Sequence, residues 1–138
     1  MNATGLFRRM LRKSRTVKTR VLVAVKSLRL HRVIEHLLHA RRDLHVLARV
    51  EDRVQLLSAL RRQIPRIVIA DAAPIGLDFE RSITVLKRSH PDTKLLVICS
   101  VSGFAREMRQ RGADACLAEE ALVKRLLPTV SVLAGSVH

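Results

Sequence analysis

Asp71 is the residue of this chain best placed to do chemistry. It closes a run of branched aliphatics, Ile67-Val68-Ile69-Ala70, and opens the loop Ala72-Ala73-Pro74-Ile75-Gly76-Leu77-Asp78. A carboxylate at the end of a buried strand sits where parallel sheets bind ligands and can accept a transferred group if suitable partners stand beside it. Without them it is only a polar strand end. The other reactive side chains are less telling. His36 and His39 share a helix face at i, i+3, with His31 and Glu35 near them. H-E-x-x-H is absent, and most of these positions lie beside an apolar stripe among arginines, so solvated histidines are expected and no metal site is assigned. Cys99 and Cys116 are too few for a disulfide framework and too far apart for a zinc knuckle. Each lies in an apolar run, the usual setting of a small buried hydrophobe, and a reducing cytoplasm fits them best. No serine stands in a G-x-S-x-G elbow, and the first strand–helix loop, Val25-Lys26-Ser27, has no glycine to cradle a pyrophosphate. With neither a nucleophile–base pair nor a glycine cradle, the chain is not expected to be an enzyme or to take a small-molecule substrate.

The elements that must position these residues follow from hydrophobic periodicity. Val21 to Val25 is an apolar run of strand length. Leu30, Val33, Ile34 and Leu37 recur at helical spacing, ending near Arg41-Arg42. Leu44 to Val50 reads as a second strand, and Val54, Leu57 and Leu60 mark a second helix before Pro65. Ile67 to Ala70 is the third strand, and Phe79, Ile83 and Leu86 space a third helix that should end before Pro91. Leu95 to Ile98 is a fourth strand. Phe104 and Met108 lie on a short fourth helix, ended by Gly112. Ala113 to Ala118 forms a fifth strand. The last helix starts near Glu120, with Pro128 kinking or ending it before Val130–Leu133. Strands alternating with helices at this spacing imply right-handed crossovers and one open parallel sheet with helices on both faces. For a chain of 138 residues one domain is expected.

Charge is the strongest compositional signal. Lys and Arg total 26 against 12 acids, a net of +14. Seven cations (Arg8, Arg9, Arg12, Lys13, Arg15, Lys18 and Arg20) fall in the first twenty residues, which contain no acid. Residues 1–19 are expected to form a basic arm and 20–138 the folded domain. Leu6, Phe7, Met10 and Leu11 would give a helix there an apolar stripe, so the arm is either a solvated, partly disordered tail or an amphipathic segment for a membrane surface or a partner. Such a field attracts nucleic acid, anionic lipid, phosphorylated ligands or an acidic protein face. No apolar stretch is long enough to span a membrane and no secretory signal opens the chain, so a cytoplasmic location is expected.

On several of these residues the chain resembles the receiver domains of bacterial response regulators. Arg20-Val21-Leu22-Val23 is similar to a receiver's opening strand, and Pro65 to Asp71 to the strand that carries the phosphoacceptor aspartate. Gly76 and Asp78 match the loop after it, with Pro74 one place early, and Gly112-Ala113-Asp114 resembles the approach to the fifth strand. The resemblance covers residues 20 to about 135 and implies a flavodoxin-like, doubly wound five-stranded parallel sheet. It also exposes departures. Receivers place an acid pair after the first strand for Mg²⁺, where this chain has Val25 and Lys26. They place Thr or Ser at the end of the fourth strand, where Cys99 stands with Ser100 next to it. They place lysine at the end of the fifth, where Glu119 stands. Phosphoryl transfer relies on metal and lysine to offset charge on the phosphoryl oxygens. A degenerate pocket is therefore expected, with weak or absent Mg²⁺ binding, no cofactor, and Lys26 pairing with Asp71, Glu119 or both.

The implied function is phosphorylation-independent protein–protein binding in signal transduction. Receivers use the face of the fourth helix, fifth strand and last helix, which here carries Arg106, Arg109, Arg111, Lys124 and Arg125 and suits an acidic protein partner. No output domain is expected after residue 138, so action in trans or through a homodimer follows. The alternatives are an anion or cyclic-dinucleotide sensor gripped by Arg8, Arg9, Arg12 and Arg15, and nucleic-acid or membrane-surface binding through the arm. No helix-turn-helix, zinc finger or aromatic stacking platform supports the nucleic-acid reading.

Overall fold

The computed structural model describes residues 18–71, 79–99 and 112–135. Its strands are β1 (Thr19–Ala24), β2 (Leu44–Val46), β3 (Ile67–Asp71), β4 (Lys94–Cys99) and β5 (Ala115–Ala118). They form one parallel sheet in the order β2-β1-β3-β4-β5. Four described helices accompany it: α1 (Leu28–Leu38), α2 (Arg53–Gln63), α3 (Phe79–Ser89) and α4 (Leu122–Leu133), the last preceded by a 3₁₀ turn at Glu119–Ala121. The expected helix around Phe104 and Met108 and the arm at 1–17 lie outside the described residues. β1 begins at Thr19, so the sheet takes in the last residue assigned to the arm.

Strand alternation divides the core in two. Leu22, Ala24, Val68, Ala70, Leu95, Val97 and Cys99 face one cluster, closed by Leu56, Ala59 and Leu60 of α2 and Leu86 of α3. Val21, Val23, Val25, Ile67, Ile69, Leu96 and Ile98 face the other, closed by Leu30, Ile34 and Leu38 of α1 and Leu122, Leu126 and Val130 of α4. Side chains that point alternately to two covered faces explain why these strands read as continuous apolar runs.

Polar clasps hold the strand starts in register. The Thr93 hydroxyl, itself buried, donates to the Pro65 carbonyl at 2.8 Å. Asp114 accepts from the Leu95 N–H at 2.7 Å while its own N–H donates to the Leu95 carbonyl at 2.9 Å, and it pairs with Lys87 of α3. Gly112, at φ 115°, takes a backbone conformation that favours glycine, so Gly112-Ala113-Asp114 is a turn and a clasp in three residues. Ser27 caps α1 by accepting from the Leu30 N–H, and Asp52 caps α2 by accepting from the Gln55 N–H.

Three expectations need correction. β2 stops at Val46, and the chain rejoins the sheet only through a bridge from Val50 to Ala24, so the expected strand to Val50 is interrupted. In α2 the buried positions are Leu56, Ala59 and Leu60, while Val54 is 77% exposed. Periodicity found that helix and placed Leu60 in the core and Leu57 against it, but set Val54 on the wrong face. α4 runs through Pro128 without ending. Proline denies the Lys124 carbonyl its helical donor, but Lys124 and Pro128 are exposed, where water can serve it. Leu126 and Val130, buried on either side, hold the helix against the sheet.

Leu126 is fully buried on α4 and Val123 on the same helix is 75% exposed. Leu126→Ala is expected to cost about 2–5 kcal/mol in urea unfolding, and Val123→Ala less than about 0.5 kcal/mol.

Candidate functional site

The C-terminal edge of the sheet gathers five of the residues singled out in the sequence. Asp71 ends β3 opposite Ile98 of β4, and Cys99 follows Ile98 and stands opposite Ala118 of β5. Glu119 comes directly after Ala118. On the other side of β3, Ala24 pairs with Ala70, and Val25 and Lys26 leave β1 immediately beyond that pair. Ser100 and the loop of 72–78 lie outside the described residues, as do Arg8, Arg9, Arg12, Lys13, Arg15, Arg106, Arg109 and Arg111. Lys124 and Arg125 are described and exposed at the start of α4.

Neither side chain at positions 25 and 26 offers this edge an oxygen ligand. Val25 is fully buried in the α1/α4 cluster and offers a hydrocarbon where a hard cation needs oxygen. Lys26 is exposed and brings positive charge. Asp71 and Glu119 are carboxylates, but Glu119 is engaged by Arg29 of α1, Nη2 to Oε1 at 3.3 Å. The partner that the structure gives Glu119 is therefore Arg29, where Lys26 was one of the expected ones. This pair is exposed and contributes at most about 1 kcal/mol to stability. Its consequence is local: the carboxylate after β5 is offset by a cation of α1.

A second arginine was not legible in the sequence. Arg49, in the connection after β2, donates to the Lys26 carbonyl at 2.7 Å and the Val25 carbonyl at 3.4 Å, and pairs with Glu51 at 2.8 Å. Its guanidinium therefore sits over the backbone of the first strand–helix loop. Nothing in the sequence distinguishes Arg29 or Arg49 from the other arginines, because their roles depend on which loops the sheet brings together.

Known proteins were compared with the chain. No protein-family model matches it, and no curated protein sequence does. Solved structures do match. The isolated receiver domain of RcsB from Salmonella enterica serovar Typhimurium, determined with the phosphomimetic BeF₃⁻, aligns with a TM-score of 0.76 at 15% identity, over 86% of this chain and 89% of that one. The receiver domain of the Francisella response regulator 1452 aligns at 0.74 and 15%, over 88% and 100%. The response regulator domain of Thermotoga maritima CheB aligns at 0.73 and 14%, over 86% and 97%. The fold is that of a receiver domain. In a receiver fold the edge bearing Asp71 is the one where the resemblance places phosphoryl chemistry. Asp71 stands at that edge at the end of β3, with Val25 and Lys26 beyond the end of β1, Cys99 at the end of β4 and Glu119 beyond the end of β5.

The histidines expected to be solvated divide. His36, His39 and His45 are exposed, but His31 is buried at 7% exposure, and its Nε2 has no hydrogen-bond partner among the described residues. Burial holds its pKa below the usual 6.5; Glu35 pulls it back up and Arg49 lowers it further. The folded state then binds this proton less readily than the unfolded chain, so stability falls as pH drops below about 6.5 toward the depressed folded value. Wild type is expected to lose more thermal stability than His31→Gln between about pH 7.5 and about pH 5.5, as measured by melting followed by circular dichroism.

Proposed function

We propose that this chain is a receiver-like signalling module that acts by binding another protein, without catalysis and without phosphorylation as its switch. The observation that carries this reading is the burial of Val25 in the core with Lys26 next to it, where the resemblance implies an acid pair. Neither side chain offers oxygen to a metal, and the lysine that the resemblance implies at the end of β5 is replaced by Glu119, whose charge is offset by Arg29.

The binding face we assign is the exposed start of α4. Val123 stands 75% exposed with Lys124 and Arg125 exposed next to it. An apolar side chain flanked by cations suits a partner with acidic residues around an apolar spot, and the charges set the rate and orientation of encounter. A photo-crosslinker at Val123 is expected to retrieve such a partner in cells, and Lys124→Glu with Arg125→Glu to lose it. The lack of a phosphoryl switch is tested by titrating Mg²⁺ with beryllofluoride and following amide NMR shifts. The expected outcome is no site-specific shift at Asp71, Ala118 or Glu119; saturable shifts there would make the protein a working phosphoacceptor.

A further inference from the structure

β4 and β5 run side by side with Val97 opposite Cys116 and Cys99 opposite Ala118. The two cysteines are therefore offset by two residues in register, and strand periodicity turns both to the same face of the sheet. Both belong to the cluster beneath α2 and α3. Their Sγ atoms lie 2.7 Å apart, against about 2.05 Å in a bonded pair, and both are thiols. Cys99 is 3% exposed, whereas Cys116 is only partly buried. Two thiols this close can do the chemistry of a dithiol.

We propose that Cys99 and Cys116 are a redox site, oxidised by a peroxide to an intramolecular disulfide that ties the end of β4 to β5. Cys116, the more accessible, reacts first. Its thiolate attacks a peroxide oxygen, the O–O bond breaks, and Cys116 becomes a sulfenic acid while the leaving oxygen takes a proton as water or an alcohol. The Cys99 thiolate then attacks the sulfenic sulfur. The S–S bond forms, the S–O bond breaks, and the departing hydroxide leaves as water with the proton given up by Cys99. Two thiols lose two electrons and two protons, and one peroxide is reduced by the same two electrons. A dithiol reductant reverses the step. Because Cys99 ends β4 one strand from Asp71, the new bond falls at the edge where this fold receives ligands. The proposal does not depend on whether Asp71 accepts phosphate.

The test treats the full chain, reduced and desalted, with graded hydrogen peroxide, followed by alkylation, intact-mass analysis and peptide mapping without reductant. The expected result is a loss of two hydrogens, a Cys99–Cys116 cross-linked peptide pair, equal rates of disappearance of the two thiols, and recovery with dithiothreitol. In Cys116→Ser the oxidation of Cys99 should slow by about tenfold or more, because the buried thiol has lost its accessible partner. In Cys99→Ser, Cys116 should go on to gain oxygen. Oxygen added to wild-type Cys116 while Cys99 stays alkylatable after unfolding would overturn the proposal, and so would cross-links found only between chains. The wild-type result alone decides, so a variant that fails to fold does not protect the idea.

Discussion

Ile67, Val68, Ile69 and Ala70 are closed off from water, so each backbone N–H and C=O along this stretch must be met by a neighbouring strand or carry a desolvation cost. β1 and β4 meet them, one on each side, and their own outer edges are met by β2 and β5. The same burial requires cover above and below. α1 and α4 close one face, and α2 and α3 the other. Most of what is regular in the molecule follows from this demand on β3: the parallel pairing, the two apolar clusters and the exit of Asp71 at the first place where a polar side chain is tolerated.

That demand stops at the C-terminal edge, and the edge is where this chain departs from the resemblance. Residues just past the strand ends make loops and caps, so their charges are constrained by neighbours more than by the core. Lys26 and Glu119 change the electrostatics there without touching the ladder. Val25 is different: its side chain has joined the core, so restoring an acid would bury a carboxylate among Ile34, Ile69 and Leu122. Arg29 and Arg49 complete the arrangement by fixing Glu119 and the first loop through side-chain contacts alone.

Small polar devices account for the parts of the sequence that are neither strand nor helix. Thr93 and Asp114 satisfy backbone groups near the starts of β3 and β4, the Pro65 carbonyl and the Leu95 N–H, where ladders begin and such groups would otherwise be left without partners. Arg41 pairs with Asp43 and reaches Ser131 on α4, joining the α1–β2 turn to the last helix. The Gly112-Ala113-Asp114 triplet was legible as a motif, and the structure supplies its reason in the Asp114 clasp on Leu95.

The sequence by itself determined the order and type of the described elements, the two-faced burial of β1, β3 and β4, and the placing of Asp71, Lys26, Cys99 and Glu119 at strand ends. These follow from periodicity, which is local: a run of branched aliphatics between turn residues needs no partner to be read. Tertiary structure decided what depends on register and on which surfaces meet. It placed Cys116 within reach of Cys99 and gave Glu119 to Arg29 in place of Lys26. It turned His31 inward and Val54 outward, and it kept α4 continuous through Pro128. Each of these is a relation between segments far apart in the chain, and it exists only once the strands have paired and the helices have docked.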